Sequence, residues 1–370
     1  MKPQFLTYIR LRQGEINMST KSMQLSNILS ELPDFVFDFI KKYYDGDSIN
    51  TQIAYATDIR TYLRFLQKQP QFSHIKNLED FTPEHLEAVD LNLMLDYKVY
   101  LERYENTYTT STGKQKTIIL TNSRKGIVRK LCTLRSLYSY LFKSDSIEKD
   151  ITRKLDLPKI HHRIKKPLTV IETINVIDVL YRGEKYFKGR ELALYKKKRQ
   201  RDIAIFVTIL GTGIRVSELV GLNIEDIDFD SSSLMVIRKG GDHQEIPMPI
   251  QVENEIYLYL QERLKITDAK DKNALFLSNR KTRITVSSVE KMIKKYCNTA
   301  GIFNDDKTTV HALRRTFACR LLEEGYDIKL ISELLGHKDV VVTSRFYAQH
   351  NKETHRKVMQ SIELPVPESV

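Results

Sequence analysis

From Thr51 the apolar side chains Ile53, Ala56, Ile59, Leu63 and Leu66 return every three or four positions, while Arg60, Arg64 and Lys68 fall four apart on another flank. That is the helical period, so TQIAYATDIRTYLRFLQKQ predicts an amphipathic helix with one packing face and one positive face. The segment TNSRKGIVRKLCTLRSLYSYLFK repeats the design: Ile127, Leu131, Leu134, Tyr138 and Leu141 form the stripe, and Arg124, Lys125, Arg129, Lys130 and Arg135 lie off it. Between these helices NTYTTSTGKQKTIILTNS is polar and reads as a loop. A run of charge is ordinarily a solvated face. Here, however, few acids are interleaved with the bases, unlike the mixed-sign pairs that decorate a helix for solubility, and the first half therefore reads as a helical clamp for a polyanion.

The pattern lapses at LDLPKIHHRIKKPLTV, which has two prolines, many basic or imidazole side chains and no apolar period; it reads as an extended linker. Beyond it, RDIAIFVTILGTGIRVSELV predicts a buried helix that breaks at Gly211 and Gly213 and resumes near Arg215. An arginine at a helix start favours anions, and Glu218, three residues on, is placed to hold its guanidinium. Leu234 to Arg238 and His243 to Met248 flank the turn Lys239-Gly240-Gly241-Asp242 and predict a hairpin with Lys239 at its tip. A further helical stretch lies around SSVEKMIKKY. Thr308 or Thr309 then caps a helix with Leu313, Phe317 and Leu321 as its buried stripe and His311 and Arg314 on a shared face, pointing off the core. In LLGHKDVVVTSRFYAQH, Gly336 ends the last of these helices, and His337 and Tyr347 stand on either side of a β-branched connector.

Length and charge narrow the class. A chain of 370 residues is long enough for two ordinary domains, and 59 Lys plus Arg against 47 Asp plus Glu leave a net charge of +12, which favours nucleic acid or an anionic surface as partner. No run of about 18 apolar residues suits a membrane span, and the first residues lack the apolar core of a signal peptide. Cys132, Cys297 and Cys319 are odd in number and far apart, so neither a disulfide framework nor a zinc cage is indicated, and a reducing, cytoplasmic compartment is expected. His161 and His162, adjacent in a basic linker, read as solvated rather than as metal ligands. There is neither an H-E-x-x-H motif nor a hydrolytic pair of carboxylates.

Taken together and in order, Arg215, Lys239, His311, Arg314, His337 and Tyr347 resemble the active-site set of the tyrosine recombinase, or phage-integrase-like, family. TGIRVSEL matches the motif of the first arginine, RKGG the lysine hairpin, HALRRTFA the His-x-x-Arg box, and LLGH the second histidine, with the nucleophilic tyrosine after it. RKGG, ALFLS and SSVEKMIKKY further resemble the XerS-type branch of single recombinases that resolve chromosome dimers. Two departures stand out: Arg315 occupies a position where the family often has histidine, and Tyr347 follows His337 by ten residues, one more than the family pattern.

The resemblance implies a mainly α fold with a small antiparallel β-sheet. It implies an N-terminal extension at 1–28, a helical core-binding domain at 29–154, a linker at 155–168, a mixed α/β catalytic domain at 169–350, and a tail at 351–370 able to dock on a neighbouring protomer. DNA contacts are expected from Arg60, Arg64, Lys68, Arg124, Lys125, Arg129, Lys130 and Arg135. It further implies strand exchange by a homotetramer on two double-stranded DNA sites, through a 3′-phosphotyrosyl link formed by Tyr347, without metal or other cofactor. Rival readings are an integrase or transposase of a mobile element, a non-catalytic DNA-binding regulator, a metal-dependent nuclease and a type IB topoisomerase.

Overall fold

The computed structural model describes residues 20–42, 49–109, 113–160, 165–238 and 240–336. Lys239, His337 and Tyr347, the linker histidines His161 and His162, and the tail at 351–370 lie outside these residues. The chain divides into two compact units, 1–162 and 163–370. No helix of the described residues is long and apolar enough to cross a membrane.

The first unit is built on helices α1 (Thr20–Leu29), α2 (Asp34–Lys41), α3 (Ile49–Gln67), α4 (Pro83–Glu87) and α5 (Leu91–Tyr100), then strands β1 (Arg103–Thr109) and β2 (Gln115–Thr121), then α6 (Arg124–Lys143). Ala56, Ile59, Leu63 and Leu66 of α3 and the whole apolar stripe of α6 are buried in one core. Tyr62, Tyr97 and Tyr138 sit at its centre. The Tyr62 and Tyr138 hydroxyls share a 2.8 Å hydrogen bond, and Tyr138 also bonds the Leu86 carbonyl, so these two phenols are buried without losing their partners.

Three expectations are corrected in this unit. The polar stretch read as a loop is a β-hairpin whose strands pair from Arg103 opposite Thr121 to Thr109 opposite Gln115. Its threonines, tyrosines and isoleucines are the residues that suit a pleated surface. The Thr107 and Thr117 hydroxyls bond across the strands at 2.9 Å, and buried Tyr104 with Leu120 ties the hairpin's base to the core. Second, the boundary at residue 28 falls inside α1, whose Leu25, Ile28 and Leu29 are buried in the same core as Tyr62. Third, the linker is shorter than 155–168: Leu155 is buried in the first core and Leu168 in the second. At the second end, the Leu168 N–H donates to Thr316 Oγ1 and the Lys166 carbonyl accepts from Arg315.

The second unit contains α7 (Val170–Tyr181), α8 (Gly189–Thr212), α9 (Val216–Gly221), strands β3 (Ile227–Asp228), β4 (Ser233–Ile237) and β5 (His243–Pro247), and helices α10 (Ile250–Arg263), α11 (Val286–Thr299), α12 (Val310–Glu323) and α13 (Ile328–Leu335). The strands form an antiparallel sheet in the order β3-β4-β5, which includes the expected hairpin. Helix α8 is the axis of the unit: Ile203, Phe206 and Ile209 are fully buried, with α7, α10, α11 and α12 packed on it. The expected break at Gly211 does not occur. A Cβ there would lie 2.5 Å from Val252 of α10, so this glycine allows close helix packing, and α8 ends at Gly213, which is left-handed. Helix α13 rests on α12 through Ala318, Cys319, Ile331 and Leu335.

Candidate active site

Arg215 is the first residue after the turn that closes α8, and it also begins α9. Its backbone N–H and its Nη1 each donate to Glu218, both at 2.7 Å, which is the holding contact that the three-residue spacing implied. A third of the Arg215 side chain remains exposed, whereas Glu218 is nearly buried. Burial alone would raise the Glu218 carboxyl, but the hydrogen bonds from Arg215 and the charge of Arg238 outweigh it and hold its pKa below the ordinary carboxylate value. The carboxylate is therefore ionised at neutral pH and fixes the guanidinium by charge as well as by geometry.

Helix α12 starts where Thr309 accepts the Ala312 N–H, and this cap sets His311 and Arg314 one turn apart. Their side chains part company, in contrast to the expectation that both point off the core. His311 reaches solvent, while Arg314 is buried and donates to the carbonyls of Gly213 and Leu335. Partial desolvation and the nearby charges of Arg315, Arg314, Lys165 and Arg215 all lower the His311 pKa, so its imidazole is neutral at pH 7 and able to accept a proton. Arg315 is buried and tied to the Lys166 carbonyl, which explains how an arginine is accommodated there.

These elements meet at the end of α13. Gly336 closes that helix in the left-handed conformation. The last carbonyls of a helix have no partner within it and carry partial negative charge. Here three successive ones are each taken by a different arginine: Leu334 by Arg238 at 2.8 Å, Leu335 by Arg314, and Gly336 by Arg215 at 2.8 Å. The negative helix end thus gathers guanidinium groups that would otherwise repel one another, directly before His337 in the chain. Arg238 is the residue that sequence reading missed. The signal was present in the strand period, because Leu234, Val236 and Arg238 alternate onto the buried face while Ile237 is exposed.

The clamp residues fare unevenly. Lys68, Arg124 and Lys125 are exposed. Arg60 and Arg64 reach Glu31 at 3.2 and 3.0 Å, and Arg129 makes a two-pronged contact with buried Asp58. Lys130 is a correction: it is buried, with its ammonium 2.9 Å from Asp58, so it serves the core and not an outside surface. Arg135 holds the Leu155 carbonyl at the exit of the unit. The neutralising acids lie on other segments, where spacing along one helix cannot reveal them.

A model of the phage integrase family matches residues 190–354, a stretch that includes Arg215, Lys239, His311, Arg314, His337 and Tyr347. Tyrosine recombinase XerA of Pyrococcus furiosus is 34% identical over 286 residues, covering 75% of this chain and 91% of the relative. The chain belongs to the phage integrase family of tyrosine recombinases. Tyrosine recombinase XerC of Thermodesulfovibrio yellowstonii is likewise similar, at 30% identity over 306 residues, covering 82% of this recombinase and 86% of the relative. In fold, the recombinase is similar to the XerH site-specific recombinase in a complex with palindromic difH substrate, with TM-score 0.62, 17% identity, and coverage of 93% of this chain and 90% of the other. Membership makes the chain a tyrosine-type site-specific recombinase, an enzyme of DNA recombination.

Proposed function

We propose that this recombinase cuts one DNA strand by attack of Tyr347 on a phosphodiester and reseals it to another strand. The Tyr347 Oη–phosphorus bond forms as the bond from phosphorus to the 5′ oxygen breaks. The phenolic proton passes to His311, and Lys239 protonates the departing oxygen. A phenol with a pKa near 10 is a poor nucleophile at neutral pH, and a cationic pocket lowers the cost of its phenolate. Negative charge grows on the non-bridging oxygens during displacement, and Arg215, Arg314 and His337 supply the compensating donors. The phosphotyrosyl link retains the bond energy, so a free 5′ hydroxyl restores the backbone without a nucleotide cofactor.

One observation carries this reading: arginines from sequence-distant motifs, Arg314 and Arg215, donate to the successive carbonyls of Leu335 and Gly336, the two residues before His337 in the chain. The resemblance of RKGG, ALFLS and SSVEKMIKKY to the XerS-type branch supports chromosome dimer resolution in the cytoplasm as the role, carried out by a homotetramer on two DNA sites. The tail at 351–370 would then dock on a neighbouring protomer, coupling assembly to the placement of Tyr347. The test uses DNA segments enriched by the purified protein, placed on two molecules that are mixed and scored for strand exchange. Exchange is expected to persist in EDTA without added nucleotide; loss of cleavage in EDTA would establish a metal-dependent reaction and refute the reading.

A further inference from the structure

Arg238 has no place in the reaction just described, yet its side chain makes three directed contacts. Nη1 donates to Glu218 Oε2 at 2.8 Å, Nε to Gln244 Oε1 at 2.7 Å, and Nη2 to the Leu334 carbonyl at 2.8 Å. Its backbone is engaged as well: the N–H donates to the Asp242 carbonyl at 2.7 Å, and the carbonyl accepts from the Gly241 N–H at 3.0 Å. The hairpin tip therefore hinges on Arg238. On the far side the fit is close, since a Cβ on Gly336 would lie 2.7 Å from Arg238 Nε. A buried ion pair is weak ground for stability, because an apolar side chain of similar volume fills a core as well or better. What the guanidinium alone offers is a rigid fork that bonds three acceptors in fixed directions.

We propose that Arg238 is a positioning residue: it locks the base of the hairpin to the Glu218–Arg215 pair and to the end of α13, and so fixes the general acid against the phosphate-binding arginine. Lys239 follows Arg238 in the chain, and His337 follows Gly336. One guanidinium thus joins the points from which two reacting side chains depart, while sharing the carboxylate that holds a third. This inference rests on the assignment of Lys239 as the acid.

The test measures single-turnover cleavage by the full-length protein on saturating DNA, with either the natural 5′-bridging oxygen or a 5′-bridging sulfur, which leaves without needing a proton. Loss of a general acid costs about 10² to 10⁴ in rate. Lys239→Ala should show that loss on oxygen and recover on sulfur. Arg238→Gln should lose about tenfold to a hundredfold on oxygen, a misplaced acid being less costly than an absent one. It should bind DNA within about threefold of the parent, because the surface phosphate contacts persist, and recover most of its rate on sulfur. Arg238→Lys should behave in the same way, since one ammonium cannot serve three acceptors held in fixed directions. If Arg238→Gln is equally slow on both substrates while Lys239→Ala is rescued, Arg238 does not position the acid and the proposal fails alone. If Lys239→Ala is not rescued, the acid assignment fails and takes the proposal with it. Should Arg238→Gln melt too early to assay, Gln244→Ala removes one of the three acceptors at a half-buried site; a smaller loss with sulfur rescue is expected, and a loss without rescue overturns the proposal.

Discussion

Tyr347→Phe will bind its DNA site within a few-fold of the parent and form no covalent adduct on a suicide substrate nicked beside the scissile phosphate. The substitution removes one oxygen. It leaves untouched the arginine cluster at the end of α13 and the exposed cations Lys68, Arg124 and Lys125 of the first unit. Affinity for DNA is set largely by phosphate neutralisation, so little of it depends on a phenol hydroxyl, whereas the covalent step depends on it entirely. The expected effect on adduct formation is complete loss, read on a denaturing gel. An adduct of parental yield from the Phe variant would remove Tyr347 from the role of nucleophile.

Arg215→Ala is expected to have the next largest effect, lowering cleavage by about 10² to 10³, as deletion of a donor to a developing oxyanion does. Two further contacts go with the guanidinium: the donor to the Gly336 carbonyl and one of the two cations on Glu218. Glu218 is not stranded, because Arg238 remains 2.8 Å away on its other oxygen. The variant should therefore fold and bind, with a loss in binding much smaller than the loss in rate. Bridging sulfur should not rescue it, in contrast to Lys239→Ala, because the missing function is charge stabilisation and not protonation. Rescue of both variants to the same degree would mean that acid and arginine have been confused.

The features legible in the sequence are those that one segment determines by itself. The stripes of α3 and α6, a threonine cap at 308 or 309, a glycine end to α8, the left-handed end at Gly336 and the pairing of β4 with β5 all follow from local spacing and turn chemistry. The contact of Glu218 with Arg215 is legible as well, because a three-residue separation is a local relation. The misreadings share a cause. Asp58 neutralises Arg129 and Lys130 from another helix, and Glu31 does the same for Arg60 and Arg64, so a face that looks uniformly basic along the chain is partly balanced in space. Arg314 shares its helix face with His311 but sinks toward carbonyls more than twenty positions away in one case and a hundred in the other. The β1–β2 segment reads as a loop because its strands are polar; backbone pairing and the Thr107–Thr117 bond hold it where apolar alternation is weak.

The most direct test of the account is to identify the atom that carries the DNA. The parental protein is trapped on a suicide substrate, the complex is digested with nuclease and protease, and the nucleotide-bearing peptide is sequenced by mass spectrometry. A single modified residue is expected, Tyr347, with its phenolic oxygen joined to a 3′-phosphate and the 5′ end of the released strand a free hydroxyl. Attachment at any other residue, a 5′-phosphate linkage, or cleaved DNA without a protein adduct would contradict it.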